Sequence, residues 1–125
     1  MCVRVVIAGL AAVVCALAMA PPALAEDNVG YEIVSNTNTT VNIEYYDHGV
    51  RKALRGVALP WQTEVAVVDA FSTTADGAEV RADWRPAAWP GKWVTVRIYV
   101  GGKLICQSTL DIGNATCYGS TPHIA

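Results

Sequence analysis

The sequence predicts an all-β chain, folded as an antiparallel β-sandwich of seven to eight strands behind an N-terminal signal segment. Three observations carry that expectation. Apolar and polar residues alternate over segment after segment between residues 31 and 118. Clusters rich in Gly, Asn, Asp and Pro separate those segments at short, regular spacing. No stretch beyond residue 25 repeats its apolar residues with the 3.6 period of a helix.

Residues 1–25, MCVRVVIAGLAAVVCALAMAPPALA, form the first element. One charge, Arg4, precedes an apolar run of 16 residues from Val5 to Ala20, and Ala23-Leu24-Ala25 offers the small residues a signal peptidase reads. A spanning helix needs about 20 apolar residues. The segment therefore reads as a cleaved signal, with an uncleaved short membrane anchor as the alternative. Val14 precedes Cys15 where lipid attachment needs a small residue, so Cys2 and Cys15 are passengers. Cleavage leaves residues 26–125 as a single domain, long enough for one core.

Within it, Tyr31 to Val34 is a first short strand, with residues 26–29 a loose end. Thr40 to Asp47 sets Val41, Ile43 and Tyr45 against Asn42, Glu44 and Tyr46. Asp47-His48-Gly49 turns the chain into a weaker strand, Val50 to Val57, which Pro60 ends. Thr63 to Asp69 alternates again. Ala78, Val80, Ala82 and Trp84 share one face, opposite Glu79, Arg81 and Asp83, in the cleanest half-buried strand. Trp93 to Val100 puts Val94, Val96, Ile98 and Val100 on one side, and Gly101-Gly102 leads back into Lys103 to Leu110. Asp111 to Asn114 turns once more into Ala115 to Tyr118, and residues 119–125 form a second loose end. The inward set expected to be buried is Val41, Ile43, Val65, Val67, Val80, Ala82, Val94, Val96, Ile98 and Val100.

Cys106 and Cys117 are the two cysteines outside the signal, and an even pair in an exported chain reads as a disulfide. With the last turn centred on Asp111-Ile112 they face each other across adjacent antiparallel strands. Closing 12 residues this way contributes about 3 kcal/mol in the chain-entropy picture. A zinc site would need two more ligands, with His123 the one nearby candidate, so no metal or other cofactor is expected.

Without Arg4 the chain carries eight basic and eleven acidic residues, a net charge of −3 with no basic cluster, which argues against nucleic acid. Catalysis finds little footing. His48 lies in a turn and His123 in the tail, no serine sits in a nucleophile elbow, and Asp47-His48 is explained equally well as turn chemistry. The expectation is a protein that is not an enzyme. Asn38-Thr39-Thr40 and Asn114-Ala115-Thr116 match the glycosylation acceptor, which matters in a eukaryotic source.

The unusual composition is aromatic. Trp84, Trp89 and Trp93 fall within ten residues, with Pro86 and Pro90 stiffening the connection. They are the partner-binding candidates. Capping the core is the simpler reading for Trp61 and Trp84, whereas Trp89, between prolines, is either tucked in or displayed. Displayed rings suit protein, lipid or sugar.

The run Gly56-Val57-Ala58-Leu59-Pro60-Trp61-Gln62-Thr63, with Tyr31-Glu32-Ile33 and Val41 to Asp47 before it, resembles the MmpS family of mycobacteria and their actinobacterial relatives. Val96 to Lys103 and Asn114 to Cys117 are similar to the same family's C-terminal half, so the resemblance spans about residues 29–118. It implies an immunoglobulin-like sandwich outside the cytoplasm, secreted or held on the outer face of the plasma membrane. It also implies an accessory role beside MmpL transporters of the resistance-nodulation-division (RND) class, which export lipids and siderophores. Three features depart from the family pattern. The N-terminal segment is short and signal-like, Val96 stands where the family opens a strand with cysteine, and the Trp84–Trp93 loop is richer in Trp and Pro. A secreted relative fits those departures, and a free secreted module that binds a lipid or glycan through the tryptophan loop is the alternative.

Overall fold

The computed structural model describes residues 25–125; the segment expected to be a signal, apart from its last residue, lies outside the described residues. Nine strands follow in order. They are β1 (Asp27–Ser35), β2 (Thr40–Asp47), β3 (Val50–Ala58), β4 (Trp61–Val67), β5 (Glu79–Asp83), β6 (Val94–Val100), β7 (Lys103–Leu110), β8 (Asn114–Tyr118) and the two-residue β9 (His123–Ile124). They form two sheets, ordered β9-β7-β6-β1-β4 and β3-β2-β5-β8. Every pairing is antiparallel except β9 on β7. Two packed, mainly antiparallel sheets are the β-sandwich that the alternation predicts.

The core is what period-2 alternation dictates. Val29, Tyr31 and Ile33 of β1 face Val41, Ile43 and Tyr45 of β2, while Val80 and Ala82 meet Val94, Val96 and Ile98. Full burial of each Val or Ile stabilises by about 1.5–3 kcal/mol relative to exposure. Of the expected inward set, Val65 and Val100 are partly buried and the rest are buried. Glu79, expected on the solvent face, is 7 % exposed because the Arg51 guanidinium reaches both its carboxylate oxygens, at 3.3 and 3.4 Å.

Both expected loose ends take part in the sheet, residues 27–29 as the opening of β1 and His123–Ile124 as β9. Asp27 to Gly30 pair with β4 and β6, bury Val29, and fix the start of the chain through Asp27, which accepts the Ala70 N–H at 2.8 Å. The tail lays His123 and Ile124 beside Cys106 and Gln107, and the Ala125 N–H donates to the Gln107 carbonyl. Polar residues disguise both segments, because their pairing is made by backbone hydrogen bonds, on both sides of β1 and at the sheet edge for β9, rather than by apolar alternation.

The Cys106–Cys117 disulfide is present, with Cα atoms 5.9 Å apart, but it does not join neighbouring strands of one sheet. β7 belongs to the five-stranded sheet and β8 to the four-stranded one, so the bridge ties the two sheets together. Residues 111–113 are a corner between sheets rather than a hairpin. Gly113 takes φ +114°, its carbonyl accepts the Trp84 N–H at 2.7 Å, and a Cβ there would meet Arg85 Cγ at 2.7 Å. On the opposite flank the chain changes sheets between β3 and β4. Gly56 (φ +62°) donates its N–H to Asn42 at a bulge, Leu59–Pro60 is cis, and the Trp61 ring packs 5.5 Å from that of Tyr45.

Candidate functional site

The segment from Asp83 to Val94 crosses from β5 to β6 over one end of the sandwich. Trp84 continues the inward face of β5 and is 2 % exposed. Its Nε1 is buried without a hydrogen-bond partner, an omission that costs about 1–3 kcal/mol. A 3-10 turn, Arg85–Ala87, follows, with Pro86 in its first turn where a missing N–H does no harm. Arg85 folds back on Asp83, donating from Nε at 3.1 Å, and this contact holds the Asp83 carboxyl below its usual range.

Trp89, Pro90 and Gly91 then make the tip. Gly91 adopts φ +86°, a conformation that favours glycine. The turn is pinned from two sides. Asp111 accepts the Gly91 N–H at 3.0 Å. Asn36, in the corner between β1 and β2, donates its amide N–H to the Gly91 carbonyl at 3.2 Å and accepts the Trp93 N–H at 3.1 Å. Lys92 is folded inward, its Nζ donating to the Ala87 carbonyl at 3.1 Å and lying 5.2 Å from the Trp89 ring centroid. With its backbone held this way, the Trp89 ring is 65 % exposed. Trp93 is 43 % exposed at the foot of the loop, and Ile112, from the neighbouring corner, is 68 % exposed. Ala88, Trp89, Pro90, Asp111 and Ile112 line a shallow depression of about 350 Å³.

The three tryptophans singled out by the sequence therefore divide. Trp84 belongs to the core, and Trp89 and Trp93 to the surface. Ile112, Asn36 and Asp111 complete the site and were not legible in the sequence. The signal for Ile112 is a β-branched apolar residue inside Asp111-Ile112-Gly113-Asn114, where turn chemistry favours small polar side chains.

Elsewhere the polar candidates are occupied. The Asp47 carboxylate pairs with Lys52 Nζ at 2.7 Å, while His48, at φ +52° on the hairpin tip, contacts the Glu26 carboxylate, which raises the imidazole pKa. His123 Nδ1 lies 3.8 Å from Cys106 Sγ, whose sulfur is committed to the disulfide. The outer face of the five-stranded sheet holds an open groove of about 460 Å³ over Gly30, walled by Glu32, Gln62, Glu64 and Tyr99. There Glu32 accepts hydrogen bonds from Arg97 and Tyr99, each at 3.1 Å. No group of three or more His, Cys, Asp or Glu side chains able to hold a metal occurs among the described residues. No protein-family model matches the chain, and no curated protein matches it.

Proposed function

We propose that this protein is an exported, non-enzymatic accessory module, similar to MmpS proteins, that assists an RND-type (MmpL) transporter in the export of lipids or siderophores. It acts by contact outside the cytoplasm. The observation that carries this reading is the tip at Trp89, Pro90 and Ile112. Two exposed rings and an aliphatic side chain stand on a loop whose backbone is already fixed by Asn36 and Asp111. A surface that is ordered before it meets a partner loses little entropy on binding, and tryptophan is the side chain that most often dominates a contact.

The resemblance of the Gly56–Trp61 run to the MmpS family adds the transporter to this reading. Affinity capture of the tagged chain from its own host tests it. The expected result is copurification of a large RND-type transporter, reduced in Trp89→Ala and retained in a surface control such as Lys103→Ala. Capture without any transporter, at equal yield of folded protein, overturns it.

A further inference from the structure

The tip also limits the chemistry of what it meets, an inference that rests on reading the Trp84–Trp93 loop as a contact surface. Its polar neighbours are spent on the protein itself. Asn36 uses both ends of its amide on Gly91 and Trp93, Asp111 accepts from Gly91, and Lys92 donates to Ala87. A glycan is held by a ring of free donors and acceptors around an aromatic platform, whereas here the three polar side chains are each engaged by the loop and the capacity left is the spare lone pairs of Asp111 and the indole N–H groups. Charge cancels as well, since Arg85 is clasped by Asp83, so the tip has no preference for an acidic or a basic partner. Two partly exposed Trp rings and one Ile offer on the order of 400 Å². That is half of the roughly 800 Å² that one partner gives to a standard protein interface.

What remains is a small protruding apolar surface capped by indoles. Such amphipathic rings concentrate at the boundary between lipid headgroups and acyl chains. We propose that Trp89 and Ile112 insert into that boundary of a zwitterionic lipid surface. β1 runs away from this end for nine residues, at about 3.3 Å each. Insertion thus stands the sandwich upright, with the point where residues 1–24 join roughly 30 Å from the lipid.

The test mixes the exported chain with phosphatidylcholine vesicles carrying brominated acyl chains. Residues 1–25 contain no tryptophan, so quenching of emission reports the domain even if that segment is retained. The expected result is quenching that raised salt does not reverse. Trp89→Phe should keep the quenching of Trp93. The double variant Trp89→Ala with Ile112→Ser should raise the lipid needed for half-quenching by at least about tenfold, at an unchanged thermal midpoint. An unquenched parent, or equal quenching in the double variant, overturns the proposal. So does a concentration-dependent dimer that Trp89→Ala dissolves without any quenching, which assigns the tip to a second copy. Trp89-dependent capture of a transporter with no quenching removes lipid insertion and leaves the accessory reading standing; quenching with no transporter does the reverse.

Discussion

At the end of the sandwich where residue 25 enters, carboxylates hold the loops. At the far end, one amide, Asn36, and one carboxylate, Asp111, hold the tip through its backbone groups and leave indoles outside. Near the entry, Asp27 accepts from the Ala70 N–H, Asp69 from the Phe71 N–H, and Asp47 pairs with Lys52. Val50, Val68 and Phe71 are exposed in that neighbourhood, but they share it with Glu26, Asp27, Asp47, Asp69 and Asp76. At the far end the carboxylates are two, Asp83 and Asp111, both engaged by the loop itself. The same β scaffold thus carries a charged end and an apolar end. The contrast teaches that the exposure of Trp89 is no failure of packing. The loop is ordered by Asn36 and Asp111 without help from its ring, so the fold does not require the ring to be buried.

Four measurements sharpen or break that comparison. The largest effect belongs to Trp84→Ala, which empties a core position beneath the apolar end and should destabilise by about 3–5 kcal/mol. Trp89→Ala, five residues on, should stay within about 0.5 kcal/mol, as surface substitutions do. Thermal or denaturant unfolding of both variants decides this, and a large loss in Trp89→Ala would make the ring a structural lid.

Next in size is the inter-sheet bridge. Replacing Cys106 and Cys117 together by Ala removes a cross-link of sequence separation 11 and should cost about 3 kcal/mol. The two ends should be weakened alike, which hydrogen exchange can report. The native protein should also be two hydrogens light by mass.

Asn36→Ala removes two hydrogen bonds that pin the tip, a loss of about 1–2 kcal/mol. Here exchange should quicken at Gly91 to Trp93 and leave the charged end unchanged. Uniform quickening would mean that the two ends are not independent.

The smallest effect lies at the charged end, where His48 meets Glu26. The Glu26 carboxylate raises the imidazole pKa above its usual 6.5. The contact therefore stabilises fully below the unfolded value and loses its contribution as pH rises through the raised folded value. Both groups are exposed, so the consequence for stability is small. Glu26→Gln should return the His48 titration toward its ordinary position by NMR, with no change at the apolar end.

The alternation of Val41, Ile43 and Tyr45, of Val80 and Ala82, and of Val94, Val96 and Ile98 was enough to name the strands and most of the core, since side-chain period is a local property of extended backbone. The pairing of Cys106 with Cys117 was legible too, because no other cysteine lies beyond residue 25. Which sheet each strand joins was not. Asp111-Ile112-Gly113-Asn114 reads as a turn whether the chain folds back within a sheet or crosses to the other, and the choice rests on the long-range partner of β8, which is β5 and not β7. The same limit applied to Trp89. Trp84 was legible as an inward residue because it continues the alternation of Ala78, Val80 and Ala82, but Trp89 lies in a loop with no period to place its ring, and the tertiary structure alone, through the ties of Asn36 and Asp111 around Gly91, decided that it faces outward.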